Sequence, residues 1–226
     1  MLQCHKPQHI DHPSFKIPIY KKMADFESPT IMPKLITFLS SLLQRVAESN
    51  DVNQILQSQK LSVFHGLSRP NISIQSYMER IFKYANCSPS CYIVAYVYLD
   101  RFTQCQPNLP INSFNVHRLL ITSVMVAVKF MDDVYYNNAC YAKVGGISTT
   151  EINFLEVDFL FGLGFHLNVT PTAFYKYSSY LEREMMMLQP HINMSESSLF
   201  IGVSSKRHLS FSEDESPHHQ QQQLAV

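Results

Sequence analysis

Lys129 is the only charge in an otherwise almost continuously apolar stretch from Leu119 to Phe130. Two carboxylates follow at once, Asp132 and Asp133, and then a glycine-containing turn, Tyr141-Ala-Lys-Val-Gly-Gly146. Beyond that turn a second helix is predicted with Glu156 at its centre. An ammonium carries three donors and no acceptor, whereas a carboxylate only accepts. Two such groups on a rigid apolar base can grip the exposed backbone of another protein, the lysine taking carbonyls and the glutamate taking N–H groups. The same spacing also suits a lysine that serves the C-terminus of its own helix and snorkels to water. Spacing alone leaves both readings open.

The helix bearing Glu156 carries more apolar surface than one buried face explains. Ile152, Leu155, Phe159 and Leu163 make a core stripe, while Asn153, Glu156, Val157 and Leu160 share a second face at spacings of three and four. An apolar Leu160 beside a charge on the outward side suits a partner surface, or else a helix clamped between two neighbours.

Catalytic chemistry has little to stand on. There is no Gly-x-Ser-x-Gly, His-Glu-x-x-His, Walker loop or dinucleotide fingerprint. Gly145-Gly146 lies between predicted helices and not after a strand, so it reads as a structural turn rather than a phosphate cradle. His117 and His166 have no obvious nucleophile beside them and are assigned core or surface roles. Cys87 and Cys91 stand four apart with a helix-starting proline between them and no histidine close in sequence, which argues against zinc. The chain is expected to be no enzyme and to need no cofactor or metal.

Composition narrows the class further. Five cysteines, an odd number without framework spacing, read as reduced apolar fillers of an intracellular protein. Net charge is zero and the pI is near 7.1. A nucleic-acid partner would need a basic stripe, so that class is disfavoured. No apolar signal segment opens the chain. The greasiest stretch, 119–128, is about half the ~20 residues that a membrane span requires. A membrane partner is therefore not expected.

The elements that must position Lys129 and Glu156 are helical. Residues 1–30 hold four prolines and no helical period and read as a flexible arm, followed over 31–60 by an N-terminal amphipathic helix (33–47) and a polar linker. A compact unit spans 61–188. Ser73 can cap its first helix, and Ser88-Pro89 starts a second running to about Gln104. A third, begun by Asn112 or Ser113, contains the apolar run and belongs at the centre because nearly every side of it is greasy. Ser148-Thr-Thr-Glu151 is a capping box that starts the helix of Glu156, and Thr170-Pro171 opens a fifth. Five helices with no credible strand predict an all-α bundle. The Ser-, His- and Gln-rich residues 189–226 read as a low-complexity, disordered tail.

Three segments carry a family resemblance. Tyr98-Leu-Asp-Arg-Phe102, Met125-Val-Ala-Val-Lys-Phe-Met-Asp-Asp133 and Asn153-Phe-Leu-Glu-Val-Asp-Phe-Leu160 resemble, in order and spacing, three helices of a cyclin box. Asn138-Ala-Cys-Tyr-Ala-Lys-Val-Gly-Gly146 is similar to a narrower signature, that of the phosphate-regulatory cyclin of yeast and its plant relatives, the P-type or U-type cyclins. The resemblance covers residues 60–187 and implies a single five-helix cyclin box with an extra N-terminal helix.

It further implies a regulatory subunit that binds and activates a cyclin-dependent protein kinase of the A-type, cell-cycle-like class. Such a subunit would act in cell-cycle or phosphate signalling, in the nucleus and/or the cytoplasm. Lys129 and Glu156 look like the residues that contact kinase backbone around its mobile C-helix. Phe130 follows that lysine as in other cyclins, Leu160 and Phe165 match apolar positions packed on the same kinase helix, and Asp132 and Asp133 form an acidic pair beside the contact. Asp100 resembles a structural aspartate that pairs with an arginine of the first helix. Here that position falls near Asn71 to Ser73, leaving Arg69 or Arg80 as substitutes. The alternative is a cyclin-fold scaffold, or a transcription-related module that binds protein or nucleic acid without activating a kinase.

Overall fold

The computed structural model describes residues 31–54 and 62–187, and the expectations for the N-terminal arm, for most of the linker and for the tail lie outside them. Among the described residues there are seven α-helices and no strand: α1 (Ile31–Gln54), α2 (Ile74–Tyr84), α3 (Pro89–Cys105), α4 (Val116–Met131), α5 (Asn138–Gly145), α6 (Thr149–Gly162) and α7 (Pro171–Met187). The expected all-α architecture is present.

α4 is the axis of the bundle, and α3, α6, α2 and α5 all pack on it. Every residue from Leu119 to Val128 is buried, which is what a helix apolar on all sides requires. α3 is equally enclosed, buried without a break from Ser90 to Asp100. Its strand-like run Ile93–Leu99 is helical because α4 covers one side while α6 and α7 cover others.

Local chemistry sets the helix starts as the sequence suggests. Ser73 Oγ accepts from the Ser76 N–H at 3.1 Å. Ser148 Oγ accepts from the Glu151 N–H at 3.1 Å while Glu151 reaches back to the Ser148 N–H at 3.4 Å, a complete capping box.

Two features depart from the sequence reading. The turn expected around residues 141–146 is a two-turn helix, α5. Asn137 caps it by accepting from the Cys140 N–H at 3.0 Å, and it ends at Gly146 in the left-handed conformation (φ +71°). Eight residues are too few to display a helical period in sequence, and burial of Cys140, Tyr141, Ala142 and Val144 is what holds the element. Among the described residues this short helix stands in addition to the five expected over 61–188.

α1, secondly, is longer than the 33–47 expected of it and packs on the box. It buries Leu35, Ile36, Leu39, Leu43 and Ala47 in the common core and continues through the polar stretch to Gln54. The polar residues of its last turns find partners on the 110–114 loop. Asn50 Nδ2 donates to the Ile111 carbonyl at 2.8 Å, and Asp51 accepts from the Ser113 N–H at 3.1 Å and from its hydroxyl. Cys87, Cys91 and Cys105 are free thiols. Burial pushes the Cys87 thiol up to about 12, so it stays protonated.

Asp100 is fully buried, and its Oδ2 accepts from Gln104 Nε2 at 3.0 Å and from the Tyr177 hydroxyl of α7. The two substitute arginines are engaged elsewhere. Arg69 pairs with Asp51 at 3.1 Å and Arg80 donates to the Lys143 carbonyl at 2.8 Å. A tyrosine on the last helix thus serves this carboxylate. Asp100→Asn keeps the shape but exchanges charge-assisted bonds for neutral ones, an expected loss of about 1–2 kcal/mol in urea unfolding. An unchanged unfolding midpoint would contradict this account.

Candidate functional site

The end of α4 and the middle of α6 lie side by side, so the two charges singled out in the sequence meet. Lys129 Nζ donates to Glu156 Oε1 at 2.6 Å, with side-chain exposures of 26% and 18%. The ammonium points to the neighbouring helix and not merely to water beyond its own. Neither group is sealed inside the fold. On the other carboxylate oxygen, Asn138 Nδ2, from the first turn of α5, donates to Glu156 Oε2 at 2.7 Å and also to Asn153 Oδ1 at 2.8 Å.

Around this polar centre stand apolar side chains that the fold leaves uncovered. Phe130 and Phe165 are about half exposed (48% and 56%), and Leu160 is half-buried. Phe165 takes a left-handed backbone (φ +60°) directly after Gly164 (φ +57°), which for a bulky residue costs about 1–2 kcal/mol. Its N–H closes onto the Leu160 carbonyl at 2.9 Å, so the helix end dictates where the ring goes. The ring meets Phe161 edge-on at 5.1 Å.

The Tyr98–Phe102 motif holds this corner from below. Tyr98 donates its hydroxyl to the Leu167 carbonyl at 2.7 Å, and Arg101 donates to the carbonyls of His166 (3.0 Å) and Asn168 (2.8 Å). Phe102 lies under Gly162. A motif on α3 thereby anchors the loop that displays Phe165, a link that sequence distance conceals.

Asp132, three residues beyond Lys129, also has a role inside the fold. Its Oδ2 accepts from the Ser88 N–H at 3.0 Å and its Oδ1 from the Ser88 hydroxyl at 2.8 Å, tying the end of α4 to the start of α3. Asp133 remains exposed. Gly145 and Gly146 close α5 against α2, where the Tyr77 hydroxyl donates to the Gly145 carbonyl at 3.2 Å. A Cβ on Gly145 would sit 3.2 Å from Ile121.

Sequence reasoning missed Asn138 as a member of the polar centre, and Phe154 and Phe161 as exposed rings (63% and 67%). With Val157 these two aromatics follow spacings of three and four on α6, a signal that was available. The amide's role was not, because it depends on where α5 lies.

The cyclin family profile matches residues 33–167, more than half of the chain. This chain belongs to the cyclin family. Among its relatives, Cyclin-U4-1 of Arabidopsis thaliana is 69% identical over 208 residues, covering 90% of this chain and 100% of the relative. Cyclin-U4-3 of the same plant is 55% identical over 222 residues, covering 93% and 98%. Cyclin-P4-1 of Oryza sativa subsp. japonica is 58% identical over 163 residues, covering 70% and 77%. The cyclin is thus of the plant P/U type, as its signature over 138–146 suggests, and such proteins have a regulatory role. The matched region begins inside α1, in keeping with that helix's share of the core. No helix among the described residues is long and apolar enough to cross a membrane.

Proposed function

We propose that this cyclin binds and activates a cyclin-dependent protein kinase of the A-type, cell-cycle-like class, acting in cell division or phosphate signalling in the nucleus and/or the cytoplasm. The observation that carries the reading is the Lys129–Glu156 pair, held between two helices, partly open to solvent and bordered by uncovered apolar side chains. Lys129 uses one hydrogen on Glu156 and keeps two, while the carboxylate retains lone pairs beyond those that accept from Lys129 and Asn138. That is the equipment for docking a foreign backbone.

Kinases need a lysine–glutamate pair between a strand and the C-helix before phosphoryl transfer proceeds. A protein that binds only the inward position of that helix shifts its population, and a near-complete switch needs roughly 5.5 kcal/mol of differential affinity. Phe130, Leu160 and Phe165 supply apolar burial for that task, with Lys129 and Glu156 fixing the register. Asp132 acts from behind, by bracing α4 on Ser88.

Purification of the chain with each member of a panel of plant cyclin-dependent kinases, read out by histone phosphorylation, tests the proposal. A kinase that is retained and switched on supports it. One that is retained but stays inactive supports scaffolding instead, and retention of none overturns the reading. A sharper check uses Phe165→Asn, since asparagine tolerates the left-handed backbone. The variant is expected to melt within about 2 °C of the parent yet bind the kinase about tenfold more weakly. Unchanged affinity would remove Phe165 from the interface.

A further inference from the structure

A lysine and a glutamate that bond only to each other make a poor docking pair. When the ammonium turns towards a partner carbonyl, the carboxylate loses its anchor and regains the rotamer freedom that binding must then pay to remove. Glu156 has a second anchor. Asn138 Nδ2 stands 2.7 Å from Glu156 Oε2, on the oxygen that Lys129 does not use, and its remaining hydrogen goes to Asn153 Oδ1 at 2.8 Å. A carboxylate accepts and never donates, so the amide group facing it must be the NH2. Both hydrogens of that NH2 are then committed, and the Asn138 side chain has a single orientation.

The support of Asn138 is rigid as well. It occupies the first position of α5, directly after the capping Asn137. At the other end of the same short helix the Lys143 carbonyl accepts from Arg80 at 2.8 Å and the Gly145 carbonyl accepts from Tyr77 at 3.2 Å, both on α2. α5 is a strut pinned at its glycine end to α2 and presenting an amide to α6 at its asparagine end.

We propose that Asn138 is a positioning residue of the kinase grip, which holds the Glu156 carboxylate in its docking orientation when Lys129 turns from it to the partner. The signature over 138–146 then has one mechanical purpose, with its glycines seating the strut and its asparagine setting the carboxylate. This inference rests on the assignment of Lys129 and Glu156 as the grip, so its test has one arm that needs no kinase.

In the free chain, with Lys129→Ala removing the ammonium's hold, side-chain order parameters of Glu156 from NMR relaxation are compared between Lys129→Ala and the Lys129→Ala/Asn138→Ala double variant. They are expected to fall on substitution, and unchanged order overturns the inference whatever the kinase does. In the second arm, affinity for the kinase best activated by the full chain is measured for Asn138→Ala, Asn138→Asp and Glu156→Ala, singly and combined. Asn138→Ala is expected to weaken binding about tenfold in the parent and less than twofold once Glu156 is alanine. Asn138→Asp, nearly the same shape, is expected to do more harm than alanine because it sets carboxylate against carboxylate. A residue that merely fills space would give the opposite order.

Equal losses with and without Glu156, or aspartate milder than alanine, overturn the proposal. Loosening of Glu156 in the free chain while Glu156→Ala leaves affinity untouched supports positioning by Asn138 and overturns the grip assignment alone. Asn137 remains as the cap of α5 in all these variants, and thermal melting verifies that each is folded.

Discussion

Lys129→Ala and Glu156→Ala are each expected to remove most of the chain's capacity to activate a kinase while the helical bundle stays folded. A charge-assisted hydrogen bond contributes about 1.5–3 kcal/mol, so loss of one across the interface weakens binding roughly tenfold to a hundredfold. Activation falls further than binding, because the grip is what distinguishes the inward kinase helix from the outward one. Loss of that discrimination abolishes the population shift even where some contact survives. Stability suffers far less. Both groups reach solvent, with 26% and 18% exposure, and a pair so placed contributes on the order of 1 kcal/mol at most. The measurement is histone phosphorylation beside a thermal melt of the same preparation. A folded double variant that still activates fully would reject the assignment.

Gly162→Ala is expected to produce the opposite profile, a large loss of stability from a single methyl. A Cβ on Gly162 would stand 2.3 Å from Phe102 Cε2, far inside contact distance. Phe102 is held by its neighbours. It is fully buried, stacked on Phe159 at 5.0 Å with planes 12° apart, and met edge-on by Phe64 at 5.4 Å. Overpacking of this kind costs about 3 kcal/mol. For a domain of this size that is a fall of roughly 6–12 °C in melting temperature. Gly162 ends α6 just before the segment carrying Phe165, so the disturbance reaches the proposed kinase face as well. A midpoint within about 2 °C of the parent would show that the aromatic nest can yield.

The two partners of the Lys129–Glu156 ion pair were legible in the sequence. A lone lysine ending an apolar run, and a glutamate one capping box later, are local features that repeated hydrophobic spacing makes visible. Leu160 was visible by its spacing on the face of Glu156 as well as by family resemblance, whereas Phe165 came through the resemblance alone, and a left-handed phenylalanine is not something that periodicity can announce. Asp132 shows the limit in the other direction. Its type and place suit a contact with a partner, and what the sequence does not show is that each of its oxygens already accepts one hydrogen bond from Ser88, which lies 44 residues earlier. A carboxylate's free lone pairs are what make it a binding group, and only folded neighbours decide how many are left.

By itself the sequence determined the helical class, most helix starts, the central place of α4 and the order of motifs that marks the cyclin family. These rest on caps and on residues three or four apart, where cause and effect are neighbours in the chain. The tertiary structure alone decided that α5 is a helix, that α1 belongs to the core, that Tyr177 serves Asp100 and that Asn138 braces Glu156. Each of those depends on groups brought together from distant positions. An eight-residue helix or a single buried carboxylate has too little local free energy to specify its own state, and takes it from whatever packs against it.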